Sequence, residues 1–327
     1  MAPPAGAQPV ATTSGASKLQ AHVLRIGTRG SPLALAQAHE VRARLMAAHG
    51  LPEAAFEIRT YKTTGDVIVD RPLAEFGGKG LFTKEIEEAL FAGEIDLAVH
   101  SMKDMQTQLP RGLTVGAVLP REDVRDAFLS LKHASLADLP EGAVVGTSSL
   151  RRQAQVKRLR PDLKVIGFRG NVQTRLKKLA DGVADATLLA CAGLRRLGLA
   201  DRITSEIATS ELLPAVAQGA IAIEIRDGDA ATAARVAPLN DALTAIRVTA
   251  ERAFLRRLEG SCRTAIAGLA VLDGAALSFR GMVFTPDGEE CYDVVRDGAA
   301  VDAEAIGIAA ADVLLERGAG AVVQRAV

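Results

Sequence analysis

The sequence predicts an α/β protein that ends in a small α+β domain. Three observations carry that expectation. Short apolar runs alternate with amphipathic segments from Val23 to about Gly219. Polar clusters follow several of those runs without a gap, where ligands bind in open α/β sheets. From Asn240 the pattern changes to one long amphipathic segment followed by alternating strands.

A chain of 327 residues can hold two or three domains. Aromatic residues make up only 3% and Trp is absent, which disfavours a stacking platform for single-stranded nucleic acid. Lys and Arg balance Asp and Glu at 39 each, so the molecule as a whole is no polyelectrolyte and no nucleic-acid partner is expected. No apolar run approaches the roughly 20 residues that span a bilayer, so no membrane partner is expected either. Cys191, Cys262 and Cys291 are odd in number and lack metal-ligand spacing. A metal site and a disulfide framework are therefore not expected, and a reducing, cytoplasmic setting is. Residues 1–21 are rich in Ala, Pro, Gly, Ser and Thr without an apolar core, which predicts a disordered tail rather than a secretory signal.

Val23 to Gly27 reads as a first strand. Thr28-Arg-Gly-Ser-Pro32 follows, with Ser31 placed to cap a helix and Pro32 at its first position. A helix N-terminus beside Arg29 suits an anion, and equally a well-capped helix with a solvated Arg. Phe56 to Tyr61 alternates as a strand. Phe76 to Phe82 is a Gly-rich loop carrying Lys79, but it lacks the spacing of a phosphate loop, so a nucleoside-triphosphate site is excluded. Leu97-Ala-Val99 then reads as a buried strand running directly into His100, Ser101, Lys103 and Asp104. That corner suits a binding or catalytic site, and equally a solvated turn.

Leu113–Leu119, Ala127–Ser130, Ala143–Gly146, Lys164–Phe168 and Asp185–Ala190 read as further strands. Pro120 to Asp126 reads as a crossover, and Leu213 to Gly219 as a return to the first domain. Ser148 or Ser149 is placed to cap a helix that opens with Arg151 and Arg152; Asn171 is placed to cap the next. From Ser148 to Lys178 ten basic residues stand against the single acid Asp162, a local excess of 10 − 1 = +9 in a neutral chain. Lys157, Arg158 and Arg160 read as a solvated helix face. Arg151, Arg152, Arg169 and Arg175 stand at or near turns, where guanidinium groups can grip carboxylates. This charge pattern asks for a polyanionic ligand. In the last domain Asn240 is expected to cap a long helix ending at Gly260. Cys262 follows it, either as a buried structural cysteine or as an exposed thiolate near Arg256, Arg257 and Arg263.

Eight segments in order resemble one family, the porphobilinogen deaminases or hydroxymethylbilane synthases. They are Thr28-Arg-Gly-Ser-Pro-Leu-Ala34, Gly77-Gly-Lys-Gly-Leu-Phe82, Ala98-Val-His-Ser-Met-Lys-Asp104, Gly146-Thr-Ser-Ser-Leu-Arg-Arg152, Arg169-Gly-Asn171, Ala192-Gly-Leu-Arg-Arg-Leu-Gly198, Pro214-Ala-Val-Ala-Gln-Gly219 and Leu258-Glu-Gly-Ser-Cys262. The resemblance spans roughly Leu24 to Gly268 and implies two lobes of the type II periplasmic-binding-protein kind, with mixed sheets. It assigns residues 22–119 and 215–237 to domain 1, 120–214 to domain 2 and 238–327 to domain 3. It implies a transferase of tetrapyrrole biosynthesis that condenses four porphobilinogen molecules on a dipyrromethane cofactor joined to Cys262, losing ammonia at each addition and releasing hydroxymethylbilane with water. Asp104 matches the catalytic aspartate. Lys103, Asp104, Ser149, Arg151, Arg152, Arg169 and Gly170 match cofactor-binding positions. Arg29, Ser31, Lys79, Arg169, Arg175 and Arg196 match substrate-binding positions. A monomer is expected. The chemistry of the residues agrees, because the cofactor brings four carboxylates and each addition two more, which an arginine-rich cleft can hold.

Two other expectations compete. A two-lobed anion-binding protein without catalysis would share the cleft but have no use for Cys262. A nucleic-acid binder would use the basic stretch, against the scarcity of aromatics and the zero net charge.

Overall fold

A computed structural model describes residues 23–67, 80–260 and 264–325. The expected tail, Lys79 and Cys262 lie outside the described residues.

The first lobe begins with Leu24–Arg29 (β1) and Pro32–His49 (α1). Ser31 Oγ accepts the Ala34 N–H at 3.3 Å, and Gly50 ends α1 in the left-handed region at φ +63°. Phe56–Tyr61 (β2), the single turn Thr64–Val67 (α2), Lys84–Phe91 (α3), Leu97–Ser101 (β3) and Leu113–Val118 (β4) follow. The chain then crosses to a second lobe of Asp126–Ser130 (β5), Val144–Gly146 (β6), Leu150–Leu159 (α4), Lys164–Ile166 (β7), Val172–Ala180 (α5), Ala186–Ala190 (β8), Cys191–Arg196 (α6) and Ser205–Ile207 (β9). It returns to the first lobe as Ile221–Arg226 (β10) and Ala230–Val236 (α7). The remainder is Ala242–Arg257 (α8), Ala265–Asp273 (β11), Ala276–Phe284 (β12), Cys291–Ala299 (β13), Ala303–Glu316 (α9) and Ala319–Arg325 (α10).

The two lobes repeat one plan. Their sheets run β2-β1-β3-β10-β4 and β7-β6-β8-β5-β9. In each, the first three strands are parallel and the fourth is antiparallel to both its neighbours. That fourth strand is made from chain entering from, or returning from, the other lobe. These are the mixed type II lobes, joined by two crossings. β11, β12 and β13 form a separate antiparallel sheet, so the α/β class with a C-terminal α+β domain holds.

Why β3 opens on an unbroken apolar run follows from its position. Leu97 and Val99 join the cluster with Ala38, Val41 and Leu45 of α1, whereas Ala98 faces Ile86, Ala89 and Leu90 of α3. A strand covered on both faces cannot alternate polar and apolar residues. The third domain packs α8 and α9 onto its sheet. Phe254 and Phe279 meet there with ring centroids 4.9 Å apart. A Cβ on Gly307 would lie 2.1 Å from the Ala250 carbonyl oxygen, so glycine sets the closeness of the two helices.

The structure corrects several expectations. Asp241, not Asn240, caps α8, its side chain accepting the Thr244 N–H at 2.7 Å. Asn240 Oδ1 instead accepts the Val118 N–H at 2.9 Å. Lys157 and Arg160 are not a simply solvated face. Lys157 Nζ donates to the Leu163 carbonyl at 2.6 Å, and Arg160 to the Leu136, Ala137 and Leu139 carbonyls as well as to Asp162. β7 stops at Ile166, two residues short, because Gly167 and Phe168 lead into the loop beside the cleft. β9, β10, α7 and α10 were not anticipated.

Candidate active site

Lys103 and Asp104 are driven into the space between the lobes by their neighbours. Met102 and Met105 are 4% and 5% exposed and anchor the turn after β3 in a cluster with Val216, Ala217 and Val248. The two polar side chains between them can only point outward, into a cleft of about 1160 Å³. Lys103 Nζ donates to Gln218 Oε1 at 3.4 Å. Its side chain touches cleft solvent, but protein encloses the space around it. Loss of hydration pulls its ammonium down to about 8, with Arg152 and Arg151 adding to the fall and Asp104 and Asp126 opposing it.

The second lobe supplies the guanidinium groups. Ser149 caps α4 by accepting the Arg152 N–H at 3.4 Å, which puts Arg151 and Arg152 in the first turn. Both side chains are buried, and the anion on which they converge within the protein is Asp126 at the start of β5. Arg151 Nη1 lies 2.8 Å from Asp126 Oδ2, and Arg152 Nη2 lies 2.6 Å from Oδ1. Gln218 Nε2 also donates to Oδ1 at 3.0 Å. Burial alone would raise the Asp126 carboxyl, but the two arginines outweigh it and hold it well below the usual carboxylate range. The pair therefore offers the cleft a net single positive charge. Arg151 Nε is buried without a hydrogen-bond partner.

In the loop after β7, Gly170 has φ +122°, and a Cβ there would lie 2.5 Å from the Thr174 side chain. The Gly170 carbonyl accepts from Arg175 Nε at 2.9 Å. Desolvation, with Arg152 and Arg169 nearby, brings the Arg175 guanidinium down to about 10. Lys178 Nζ donates to the Arg169 carbonyl at 3.0 Å. From the first lobe, Arg29 pairs with Asp66 and stacks on Phe82, with 4.3 Å from its guanidinium carbon to the ring centroid.

Among the described residues, Arg29, Ser31, Lys103, Asp104, Ser149, Arg151, Arg152, Arg169, Gly170 and Arg175 all line this one cleft. Arg196 does not line it. Its Nη2 donates to the Gly219 carbonyl at 3.0 Å, and its Nε lies 3.4 Å from Glu40 of α1. That guanidinium bridges the return crossing at Gly219 and α1 of the first lobe. Asp126, Gln218, Asp66 and Phe82 were missed by sequence reasoning. Phe82 and Gln218 stand inside matching segments and Asp66 and Asp126 in none, and the sequence says nothing of the partners of any of them. Thr264, two residues beyond Cys262, and Leu255 of α8 also line the cleft, so the third domain forms part of its wall.

Fold and site together define a two-lobed α/β protein with a cleft suited to a polyanion between its lobes, where the carboxylates Asp104 and Asp66 stand among the cations. Residues 24–234 match the family model described as porphobilinogen deaminase, dipyromethane cofactor binding domain, and residues 245–316 the one described as porphobilinogen deaminase, C-terminal domain. The porphobilinogen deaminase of Paracoccus denitrificans is 60% identical over 294 residues, covering 90% of this chain and 94% of that one. That of Nitrobacter hamburgensis is 59% identical over 292 residues, covering 89% and 92%. The chain belongs to the porphobilinogen deaminase family. Among solved structures, the methionine binding protein MetQ is 16% identical with a TM-score of 0.42, covering 66% of this chain and 89% of that one.

The residues present fit a dipyrromethane group. An unpartnered buried donor on Arg151, the basic side chains of both lobes and the acceptor Asp104 match a ligand that carries carboxylates on its rim and pyrrole N–H groups along its centre. Lys103, Ser149, Arg151, Arg152, Arg169 and Gly170 are the groups suited to its carboxylates.

Proposed function

We propose that this cleft carries out the stepwise, head-to-tail condensation of four porphobilinogen molecules, with Asp104 as its catalytic carboxylate and Cys262 as the point at which dipyrromethane is attached. The observation that supports this best is Asp104 itself, an acid just after β3 on the wall of a cleft whose lining includes Arg29, Lys103, Arg151, Arg152, Arg169 and Arg175. When bound, dipyrromethane supplies the primer to which the substrate units are added.

The work of the chain's own residues follows from their charges. Arg29, Arg169 and Arg175, with Ser31, hold the acetate and propionate of the incoming porphobilinogen; Lys79 is assigned to the same task by its motif. Loss of ammonia breaks the aminomethyl C–N bond, the nitrogen keeps the electron pair, and positive charge spreads over the pyrrole. Asp104 accepts from the pyrrole N–H and stabilises that charge where it develops. Lys103, Arg151 and Arg152 balance the carboxylates that accumulate as the chain grows. Arg196, which matches a substrate-binding position, also pairs with Glu40 of α1. A monomer is proposed as the working unit. Free Cys191 and Cys291 agree with a cytoplasmic setting. Residues 22–119 with 215–237, 120–214 and 238–327 are proposed as the three domains.

The test is the intact mass of the purified protein beside its Cys262→Ser variant. The expected result is the added mass of one dipyrromethane on the wild type only, and further pyrrole steps after brief exposure to porphobilinogen. Wild-type protein that stays bare after incubation with porphobilinogen would overturn the proposal in favour of a non-catalytic anion-binding protein.

A further inference from the structure

We propose that Asp66 is a positioning residue for the reaction: it engages the Arg29 guanidinium and keeps it from pairing with Asp104. The inference rests on Asp104 as the catalytic carboxylate.

Arg29 ends β1 between two carboxylates. Toward Asp66 it presents a whole edge, with Nε 3.2 Å from Oδ2 and Nη2 in a closer contact with Oδ1. Toward Asp104 it presents only Nη1, at 4.0 Å from Oδ2. Asp66 is itself held in place. Its Oδ2 accepts the Thr63 hydroxyl at 2.7 Å and the Thr63 N–H at 3.4 Å, and Thr63 is fully buried. Burial would raise the Asp66 carboxyl, but the hydrogen bonds from Arg29 and Thr63 outweigh it, and the group is lowered. Phe82 closes the other side of the guanidinium. Its ring is pressed on Gly65, where a Cβ would lie 2.2 Å from it, and the Gly65 N–H donates to the Leu81 carbonyl at 2.7 Å. The guanidinium is therefore clamped in orientation by groups on both sides.

A guanidinium engaged along one edge has little left to offer a second carboxylate except the remaining amine. Arg29 keeps that amine for the carboxylate of a substrate, and Asp104 keeps its charge for the cation that develops as ammonia leaves. Without the Asp66 carboxylate, a short rotation of Arg29 closes the 4.0 Å gap. An ion pair at Asp104 would then compete with the developing cation. Because that cation exists only in the transition state, this part of the loss falls on kcat, while the Arg29 amine drawn away from the substrate carboxylate adds a rise in KM. It weakens an electrostatic stabiliser without removing it, so the expected loss is on the order of tenfold, below the hundredfold or more of outright removal.

The experiment measures steady-state kcat and KM for porphobilinogen on holoenzyme, checked for bound cofactor by mass, for wild type, Asp66→Asn, Asp66→Glu and Asp104→Asn. The expected pattern is a kcat about tenfold lower in Asp66→Asn together with a raised KM, and recovery of most of both losses in Asp66→Glu, which restores the carboxylate. Wild-type kcat in Asp66→Asn, or a raised KM with kcat unchanged, overturns the inference while Asp104→Asn remains inactive. Near-normal turnover in Asp104→Asn removes the catalytic assignment and this inference with it. If Asp66→Asn does not fold, Asp66→Glu decides alone: a kcat that falls as far as that of Asp104→Asn contradicts a role met by any carboxylate there.

Discussion

Lys103 and Asp104 are neighbours in the chain under opposite demands. Asp104 must stay charged to meet a cation, while Lys103 is charged only up to a pH of about 8. In the protein without cofactor, the affinity of the cleft for a polycarboxylate is therefore expected to fall as pH rises past 8, as one cation leaves the cleft. Lys103→Arg keeps its charge, so its affinity should hold over that range. An alkaline fall retained unchanged in Lys103→Arg would refute the role. The sign for stability is the reverse. The folded protein holds this proton less tightly than the unfolded chain, whose lysine titrates near 10.5, so between about 8 and 10.5 the contribution of Lys103 to stability improves as pH rises. Sequence motifs revealed Lys103, Asp104, Arg151 and Arg152, because each lies in a short matching segment. They could not reveal that Asp126 and Gln218 hold these groups. Asp126 is 26 positions from Arg152 and Gln218 is 92 from Asp126, and burial alone makes the contacts matter.

At the scale of elements, most boundaries follow local chemistry, as with Ser31, Ser149 and Asn171 at the starts of α1, α4 and α5. The start of α8 shows where local chemistry runs out. Asn240 and Asp241 are equally good caps by type. The choice was made by β4, whose Val118 N–H claims the Asn240 side chain and leaves the cap to Asp241. Asp241→Ala is expected to lower unfolding free energy by about 1 kcal/mol in denaturant titrations, the usual value of a lost cap. No measurable change would show that the Thr244 N–H finds another acceptor. β10 was missed for a related reason. Ile221-Ala-Ile-Glu-Ile-Arg226 is a strand in pattern, but only its insertion between β3 and β4 makes it the antiparallel member of the first sheet.

Across the whole molecule, the three domains meet at Glu251. This fully buried carboxylate of α8 forms a two-pronged pair with Arg121 on the outgoing crossing, 2.6 and 2.9 Å. It also accepts the N–H of Ala217 on the return crossing at 2.6 Å and that of Ala270 in β11 at 2.9 Å. Gly219 tightens the same junction: at φ +89°, a Cβ would lie 2.3 Å from the Glu122 carbonyl oxygen. Glu251→Gln strands the Arg121 charge in a buried site, and a loss of about 3–5 kcal/mol is expected, seen as a large drop in the thermal midpoint. An unchanged midpoint would mean that Arg121 finds water or another acceptor.

The sequence by itself determined the class of fold, the kind of ligand and the family. Strand runs, capping residues, a +9 basic stretch and eight short motifs are all properties of neighbours along the chain. Only the tertiary structure decided the partners: Asp126 between Arg151 and Arg152, Asp66 at Arg29, Glu40 at Arg196 and Glu251 at the junction of three domains. The physical reason is that a buried charge is governed by whatever the sheet order brings within a few ångströms of it. That order is settled by the packing of strands far apart in the chain, and no local pattern records it.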